Sequence, residues 1–466
     1  MPKIVLQNPP SGVPPEVEVA EEAKMGGEGA VYFSTDGRFA VKVYHQPHPD
    51  KEKLLQYVMK LFSTLPPEQE RFLLRPLALV ETLDGHKRVG FIMRRVPPEY
   101  RELMAYVLNA RYAAEQFQQG KTWARYLKVA RSIANAIVVL HGKGCAHSDI
   151  HFRNFLVNLD EGEAVMLEID GVVVAGFLPP QVAGMMGFMA PEILTRGERP
   201  NERTDRHSLA VLILHTLLFR NVMQPLIEYD PDPNKSEELG WGEHALFSEH
   251  PHDHRHRPRN VGLPLYRRGA LSYRMLTPAL QRLTERALIE GLRDPEKRPS
   301  AREWEEALAC AYDELWGCGH CGQHFPYPYW LHPPQRRTCP FCGERCRPPL
   351  PIVLELYEER QRSSFFPIGR RIVLGHGFKI FSDMIEPARK PPLTRRSERV
   401  VGHVEWDGRQ GRYRVVNDEG GEWTARSPDL TRRFSARKGE SVPLGPGFVI
   451  RFGDGKRLAR VCEDRG

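Results

Sequence analysis

The sequence predicts a mixed α+β chain of several domains: a small mostly-β lobe and a larger mostly-α lobe, then a cysteine-rich module, then an all-β domain. Three observations predict it. Apolar alternation broken by glycine turns fills the N-terminal part, as in VYFSTDGRFAVKVY. Helical spacing replaces it from Trp123, in YLKVARSIANAIVVLHGKG. Two C-x-x-C pairs then separate the helical part from an Arg- and Gly-rich stretch of short alternating runs. The length, 466 residues, exceeds what one hydrophobic core supports.

Taken in order, the Pro-rich segment 1–16 reads as a tail. Two strands then join at Asp36-Gly37, a residue pair suited to the positive φ angles of a tight hairpin. Pro49-Asp50 marks a helix start, and KEKLLQYVMKLF repeats apolar residues at helical spacing. RPLALVETLDGHKRVGFIMRRV is a second hairpin, turning at Asp84-Gly85, and VMLEID is a strand ending at Asp170. EWEEALACAYDELW is the last helix before the cysteines. The expected boundaries are therefore 17–315, 316–349 and 350–466.

Bulk composition narrows the function classes. An apolar share of 41% and a charged share of 27% are those of a folded soluble protein. The net charge of +7 permits a nucleotide or acidic partner without calling for nucleic acid. The apolar runs are too short to span a bilayer, and the N-terminus has no signal-peptide pattern, so no membrane partner is expected. Four of the eight cysteines sit in C-x-x-C pairs, while Cys145, Cys310 and Cys462 are scattered. That usage fits a reducing, cytoplasmic compartment.

Several residues carry phosphate chemistry by type and spacing. Gly26, Gly27 and Gly29 lie in MGGEGAVYF at a strand–turn–strand, where glycines let backbone N–H groups approach phosphate oxygens. Lys42, in AVKVY, either snorkels to solvent or neutralises α- and β-phosphates. A lysine in that second role needs a carboxylate to hold it, and Glu52 is the acid within the following helix. AHSDIHFRNFLV places Asp149 and Asn154 in one loop, and Asp170 precedes Gly171 after VMLEID. Phosphoryl transfer uses one carboxylate near the attacking hydroxyl, plus an amide and a second carboxylate for magnesium.

With those residues in that order, the chain resembles the protein kinase superfamily. FMAPEIL resembles the Ala-Pro-Glu motif (Ala190, Pro191, Glu192), and TDRHSLAVLI resembles the buried large-lobe helix, with Asp205. GLRDPEKRPSAREW resembles the motif whose Arg298 pairs with Glu192. The resemblance implies a bilobal protein-kinase fold, which the expected architecture follows with a zinc ribbon and an all-β sandwich. It also implies ATP and Mg2+, with Asp149 and Lys42 catalytic and Asn154 and Asp170 on the metal. Val31, Ala40 and Leu156 would enclose the adenine, Met93 would be the gatekeeper, and the backbone near Val96 would bond the base.

The sequence also departs from the family pattern. Lys24 replaces the first loop glycine, Ser148 the Arg before Asp149, His151 the Lys after it, and Met185 a Thr; the Phe after Asp170 is missing. His151 is expected to donate to a phosphate. No Ser, Thr or Tyr lies between Gly171 and Pro191. Ser148 cannot receive an activation-loop phosphate as an arginine does, so activation without loop phosphorylation is expected.

Cys318-x-x-Cys321 and Cys339-x-x-Cys342, each followed by Gly, supply four thiolates for one structural Zn2+. His320, His324 and Cys346 are spare ligands nearby. His250, His252, His254 and His256 alternate in a stretch that is either a metal patch or a solvated loop. FPIGRRIVLG, RYRVVNDEGGEW and LGPGFVIRFGD resemble a forkhead-associated sandwich, with Arg370, Arg371, Arg395, Arg396, Arg432 and Arg433 as a basic surface. The three parts in this order are similar to bacterial kinases of tellurite-resistance-type stress systems, encoded beside a phosphatase and a von Willebrand A protein. That similarity implies a protein substrate, with the von Willebrand A-type protein and the phosphatase as partners. A nucleotide-binding pseudokinase scaffold and a small-molecule kinase are the competing readings.

Overall fold

Strand alternation builds the N-terminal sheet and decides what its central strand shows to each side. The computed structural model describes residues 1–174, 184–333, 336–361, 364–392, 398–453 and 455–462. The strands are β1 (Lys3–Gln7), β2 (Glu16–Glu18), β3 (Lys24–Met25), β4 (Gly29–Phe33), β5 (Phe39–Tyr44), β6 (Ala78–Leu83), β7 (His86–Lys87) and β8 (Gly90–Arg94). Their order is β2-β1-β6-β8-β5-β4-β3, with β7 paired to β6. Every pairing is antiparallel.

β5 lies inside this sheet, so both its faces are covered. Phe39, Val41 and Val43 join one core with Ile4, Val80 and Ile92. Ala40 and Tyr44 point the other way, into a core with Leu55, Leu79, Phe91 and Met93. Successive strand residues face opposite sides, which puts Lys42 on the Ala40/Tyr44 face. The segment 1–16, expected as a tail, is part of the sheet instead: β1 pairs with β6 and with β2. Its Ile4 and Leu6 are buried, and that apolar contact holds the strand in place.

The chain is mixed α+β and divides into two compact units. The first comprises Met1–Gln119, Ser132–Arg257 and Thr284–Glu305. It holds the sheet above, the helix Lys51–Phe62 and the helix Glu202–Leu218. In the latter, Asn201 and Thr204 form a reciprocal capping box, which satisfies the first free N–H groups. Arg298 forks onto Glu192 at 2.6 and 2.9 Å, and its Nε donates to the Gly291 carbonyl at 2.7 Å. Both members of this pair are buried, and two parallel bonds with further acceptors make such burial tolerable.

The second unit comprises Gly120–Arg131, Pro258–Leu283 and Glu306–Gly466. Its C-terminal part is two antiparallel sheets of six and four strands. Both sheets contribute to one core, with Leu356, Ile372 and Trp423 from the first and Val404, Val415 and Leu444 from the second. The cysteine-rich module belongs to this unit rather than standing apart. Tyr327 packs with Val353 and Val373. A Cβ on Gly375 would fall 2.3 Å from the Trp316 ring, so only glycine fits there.

The expected basic surface is only partly basic surface. Arg370 is buried and bonds Asp313 at 2.8 Å and Asp383 at 2.5 Å. Arg371 bonds Glu355 and the Tyr329 hydroxyl. Arg432 and Arg433 are exposed as expected, while Arg395 and Arg396 lie outside the described residues. No helix is long and apolar enough to cross a membrane.

Candidate functional site

The first unit gathers charged side chains around Asp170. That residue sits in a single 3-10 turn, Ile169–Gly171, not at a strand end as expected. The strand stops at Met166, and Glu168 adopts φ +58, a left-handed backbone that turns the chain inward. Lys42 Nζ donates to Asp170 Oδ2 at 2.8 Å across a sequence gap of 128 residues. Lys51 Nζ lies 3.6 Å from the same oxygen and 3.3 Å from the Asp170 carbonyl. The Tyr44 hydroxyl also donates to Oδ2. Burial pushes the Asp170 carboxyl up, but Lys42, Lys51 and Tyr44 outweigh it and hold the group below its usual value.

Glu52 does not hold Lys42. Among the described residues, Lys42 pairs with Asp170 and, at 3.3 Å, with Glu28 of the glycine turn. The helix Lys51–Phe62 buries Lys51, Leu55, Val58 and Phe62 as one stripe. Glu52 is one residue on, about 100° round the helix, and leaves that stripe. Lys51, Tyr44 and Glu28 are the site residues that the sequence reading missed. Tyr44 was legible, because it shares the Lys42 face of β5.

The loop before Asn154 forms a second group. Asp205, buried on its helix, accepts from the backbone N–H of His147 at 2.7 Å and of Ser148 at 3.1 Å. These bonds fix Ser148 at φ +66, an uncommon conformation for a serine. Asn154 Nδ2 donates to the Asp149 carbonyl at 2.9 Å and to its Oδ2 at 3.2 Å. His151 Nε2 lies 3.1 Å from Asp149 Oδ2. His151 Nδ1 accepts from the Arg153 N–H, so the ring proton is on Nε2 and is donated to Asp149. His151 is therefore buried and engaged with Asp149, not free to meet a phosphate as expected. Burial pushes the Asp149 carboxyl up, but His151, His147 and Asn154 outweigh it, so the group lies below its usual value. Leu167 N donates to Asn154 O at 2.9 Å, which ties this loop to the segment leading to Asp170.

The glycines differ in their reasons. Gly26 N bonds Gly29 O at 2.9 Å and closes the β3–β4 turn. A Cβ on Gly29 would meet the Val43 carbonyl at 2.4 Å, so strand approach alone demands glycine there. Gly27 has open space around it. Val31, Ala40 and Met93 share one apolar cluster, as an adenine wall requires. Leu156 lies on a separate strand, Phe155–Asn158, opposite Glu102. Glu102, on the paired strand Arg101–Glu102, takes Lys24 Nζ of β3 at 3.4 Å. Val96 is not part of that cluster; it lines a cavity with Tyr100 and with Leu74, which packs against the cluster.

In the second unit the sulfurs of Cys318, Cys321, Cys339 and Cys342 lie within 4.8 Å of one another. Cys318–Cys342 and Cys321–Cys339 are each 3.7 Å apart. Tetrahedral coordination with metal–sulfur bonds of about 2.3 Å gives sulfur–sulfur distances of about 3.75 Å, so the spacing suits a metal such as zinc. The two halves repeat one geometry. Gly322 N bonds Cys318 O, and Gly343 N bonds Cys339 O, both at 2.9 Å. Both glycines have positive φ, 72° and 82°, which explains why glycine follows each second cysteine. Among the described residues no other His, Cys, Asp or Glu group converges in this way, and His320, His324 and Cys346 do not complete it. The alternating histidines do not gather: His256 is buried against the Tyr229 hydroxyl and accepts from Leu226 N.

No protein-family model matches the chain, and no curated protein matches it either.

Proposed function

We propose that the chain is an ATP-dependent protein kinase that transfers the γ-phosphoryl group to Ser or Thr of a partner protein. The observation that carries this reading is the pairing of Lys42 with Asp170 beside a loop in which His151 and Asn154 orient Asp149. On this reading the sheet and the helices of the first unit are the two lobes of a kinase. Val31, Ala40 and Met93 wall the adenine, and the N–H groups of the glycine turn meet the phosphates.

Asp149 takes the proton of the substrate hydroxyl. The hydroxyl oxygen forms a bond to the γ-phosphorus as the bond to the β-phosphate oxygen breaks, and ADP leaves. His151 and Asn154 keep Asp149 ionised and aimed. Both Nδ2 bonds of Asn154 go to Asp149, and among the described residues nothing donates to its Oδ1. Asp170 Oδ1 likewise has no donor among the described residues. Those two oxygens are the hard ligands that Mg2+ prefers, and bound Mg2+ supplies charge neutralisation on the phosphates. Lys42 must exchange Glu28 for phosphate when the nucleotide enters.

Asp205 fixes the loop through the Ser148 backbone, which supports assembly without loop phosphorylation. Part of the segment whose lack of Ser, Thr and Tyr supports the same view, 175–183, lies outside the described residues. The four cysteines hold a structural Zn2+ in a ribbon. The ribbon and the forkhead-associated-like sandwich recruit partners, a von Willebrand A-type substrate and a cognate phosphatase, in the cytoplasm.

The test is transfer of label from γ-labelled ATP by the purified full chain, alone and with candidate partner proteins, beside Asp170→Ala. The kinase reading expects label on protein with the wild type and loss of it with the variant. The Glu28–Lys42 contact favours a second reading, a nucleotide-binding scaffold. ATP binding without any transfer would establish that reading in its place.

A further inference from the structure

The helix Lys51–Phe62 turns a cation toward Asp170 where a carboxylate was expected. Lys51 is only 5% exposed. Burying an ammonium is unfavourable by several kcal/mol unless charge and hydrogen bonds compensate. Here the compensation includes Asp170 Oδ2, the Asp170 carbonyl and the Tyr44 ring. Lys42 Nζ lies 5.0 Å and Lys51 Nζ 4.6 Å from the centroid of that ring, so Tyr44 serves both cations. The Tyr44 hydroxyl then donates to the oxygen that both lysines approach.

The consequence is an asymmetric carboxylate. Three groups load Oδ2, while among the described residues no donor reaches Oδ1. A carboxylate pinned through one oxygen and its own backbone carbonyl has little freedom left. We propose that Lys51 and Tyr44 form a buried clamp that positions Asp170, leaving Oδ1 for the divalent cation. Lys51 thus takes over, with opposite charge, the anchoring task expected of a helix carboxylate on Lys42. The clamp also couples the helix to the site: a shift that withdraws Lys51 loosens the metal ligand. This inference rests on the kinase reading above and names a positioning residue for it.

Outer partners of metal ligands are typically worth about 10- to 100-fold in metal affinity. The experiment titrates Mn2+ by electron paramagnetic resonance into full-length protein saturated with ADP, comparing wild type, Lys51→Met, Lys51→Arg and Tyr44→Phe. Melting temperatures check folding, and metal-free ADP affinity is measured in parallel. The clamp predicts Mn2+ affinity lowered about 10- to 100-fold in Lys51→Met. It also predicts partial recovery in Lys51→Arg, a smaller loss in Tyr44→Phe, and metal-free ADP affinity changed less than the Mn2+ affinity. Unchanged Mn2+ affinity in folded Lys51→Met, or an equal loss of metal-free ADP affinity, overturns the clamp. A wild type that binds Mn2+–ADP but transfers no phosphate sinks the kinase reading and leaves the clamp's result standing. A wild type that binds neither overturns both.

Discussion

The cysteine cluster and the cleft around Asp170 prepare for a cation in opposite ways. In the cluster four sulfurs converge, and backbone N–H groups favour the thiolates of Cys318, Cys321 and Cys339. In the cleft one buried carboxylate is already paired with Lys42 and Lys51 and hydrogen-bonded by the Tyr44 hydroxyl. A metal held by the first arrangement would be part of folding, since bringing thiolates together is favoured by binding. On the kinase reading, the second would make its metal exchangeable. On that reading, Asp170 keeps one oxygen for an ion that would arrive with the nucleotide.

The largest expected effect breaks the cysteine cluster. Cys339→Ser should abolish stoichiometric zinc, from one ion per chain to none, and lower the melting temperature of the second unit. Elemental analysis and calorimetry measure both. Retention of zinc in the variant would mean that a fifth ligand, such as Cys346, had taken over.

A second experiment concerns the cost of burying charge without a metal. Glu314 is buried; that pushes its carboxyl up to about 7, against the lowering effect of the Tyr329 hydroxyl and Arg371. The Tyr329 oxygen lies 2.9 Å from Glu314 Oε2. From its unfolded value of 4.5 up to about 7, the unfolded chain loses this proton while the fold keeps it. Stability is therefore full below 4.5 and falls as pH rises, by up to about 3 kcal/mol. Glu314→Gln should flatten that part of the pH–stability curve in denaturant titrations. An unchanged slope would show that Glu314 ionises within the fold.

The smallest effect concerns the cleft. Glu28 is half exposed, so its pair with Lys42 is worth about 0.2–1 kcal/mol. On the kinase reading, Glu28→Gln should lower the KM for ATP by about fivefold at most. A raised KM would give Glu28 a role in binding nucleotide rather than in competing with it.

Much of both sites could be read from the sequence, for local reasons. C-x-x-C-G is a self-contained turn, so the metal cluster was visible in a few residues. AVKVY shows by alternation that Lys42 faces inward with Ala40 and Tyr44. Asp149 and Asn154 share one short loop. What could not be read depends on partners distant in sequence or on loop shape. Lys51 is in phase with Leu55, Val58 and Phe62 and Glu52 is not, but that the Lys51 cation would be buried depends on Asp170, far off in sequence. The strand Lys3–Gln7 was hidden because its partner is Ala78–Leu83. Arg370 looked like solvated charge because Asp313 and Asp383, which bury it, come from other elements. His151 looked free for phosphate because its proton is fixed by the Arg153 N–H, a contact of loop shape.

The most direct test of the kinase reading is Asp149→Asn. The change keeps the size of the side chain and removes the proton acceptor, while Lys42, Asp170 and the apolar wall stay in place. The account predicts that the variant binds ATP as wild type does and transfers label from γ-labelled ATP about 10²- to 10⁴-fold more slowly. Equal transfer rates in the two proteins would contradict it.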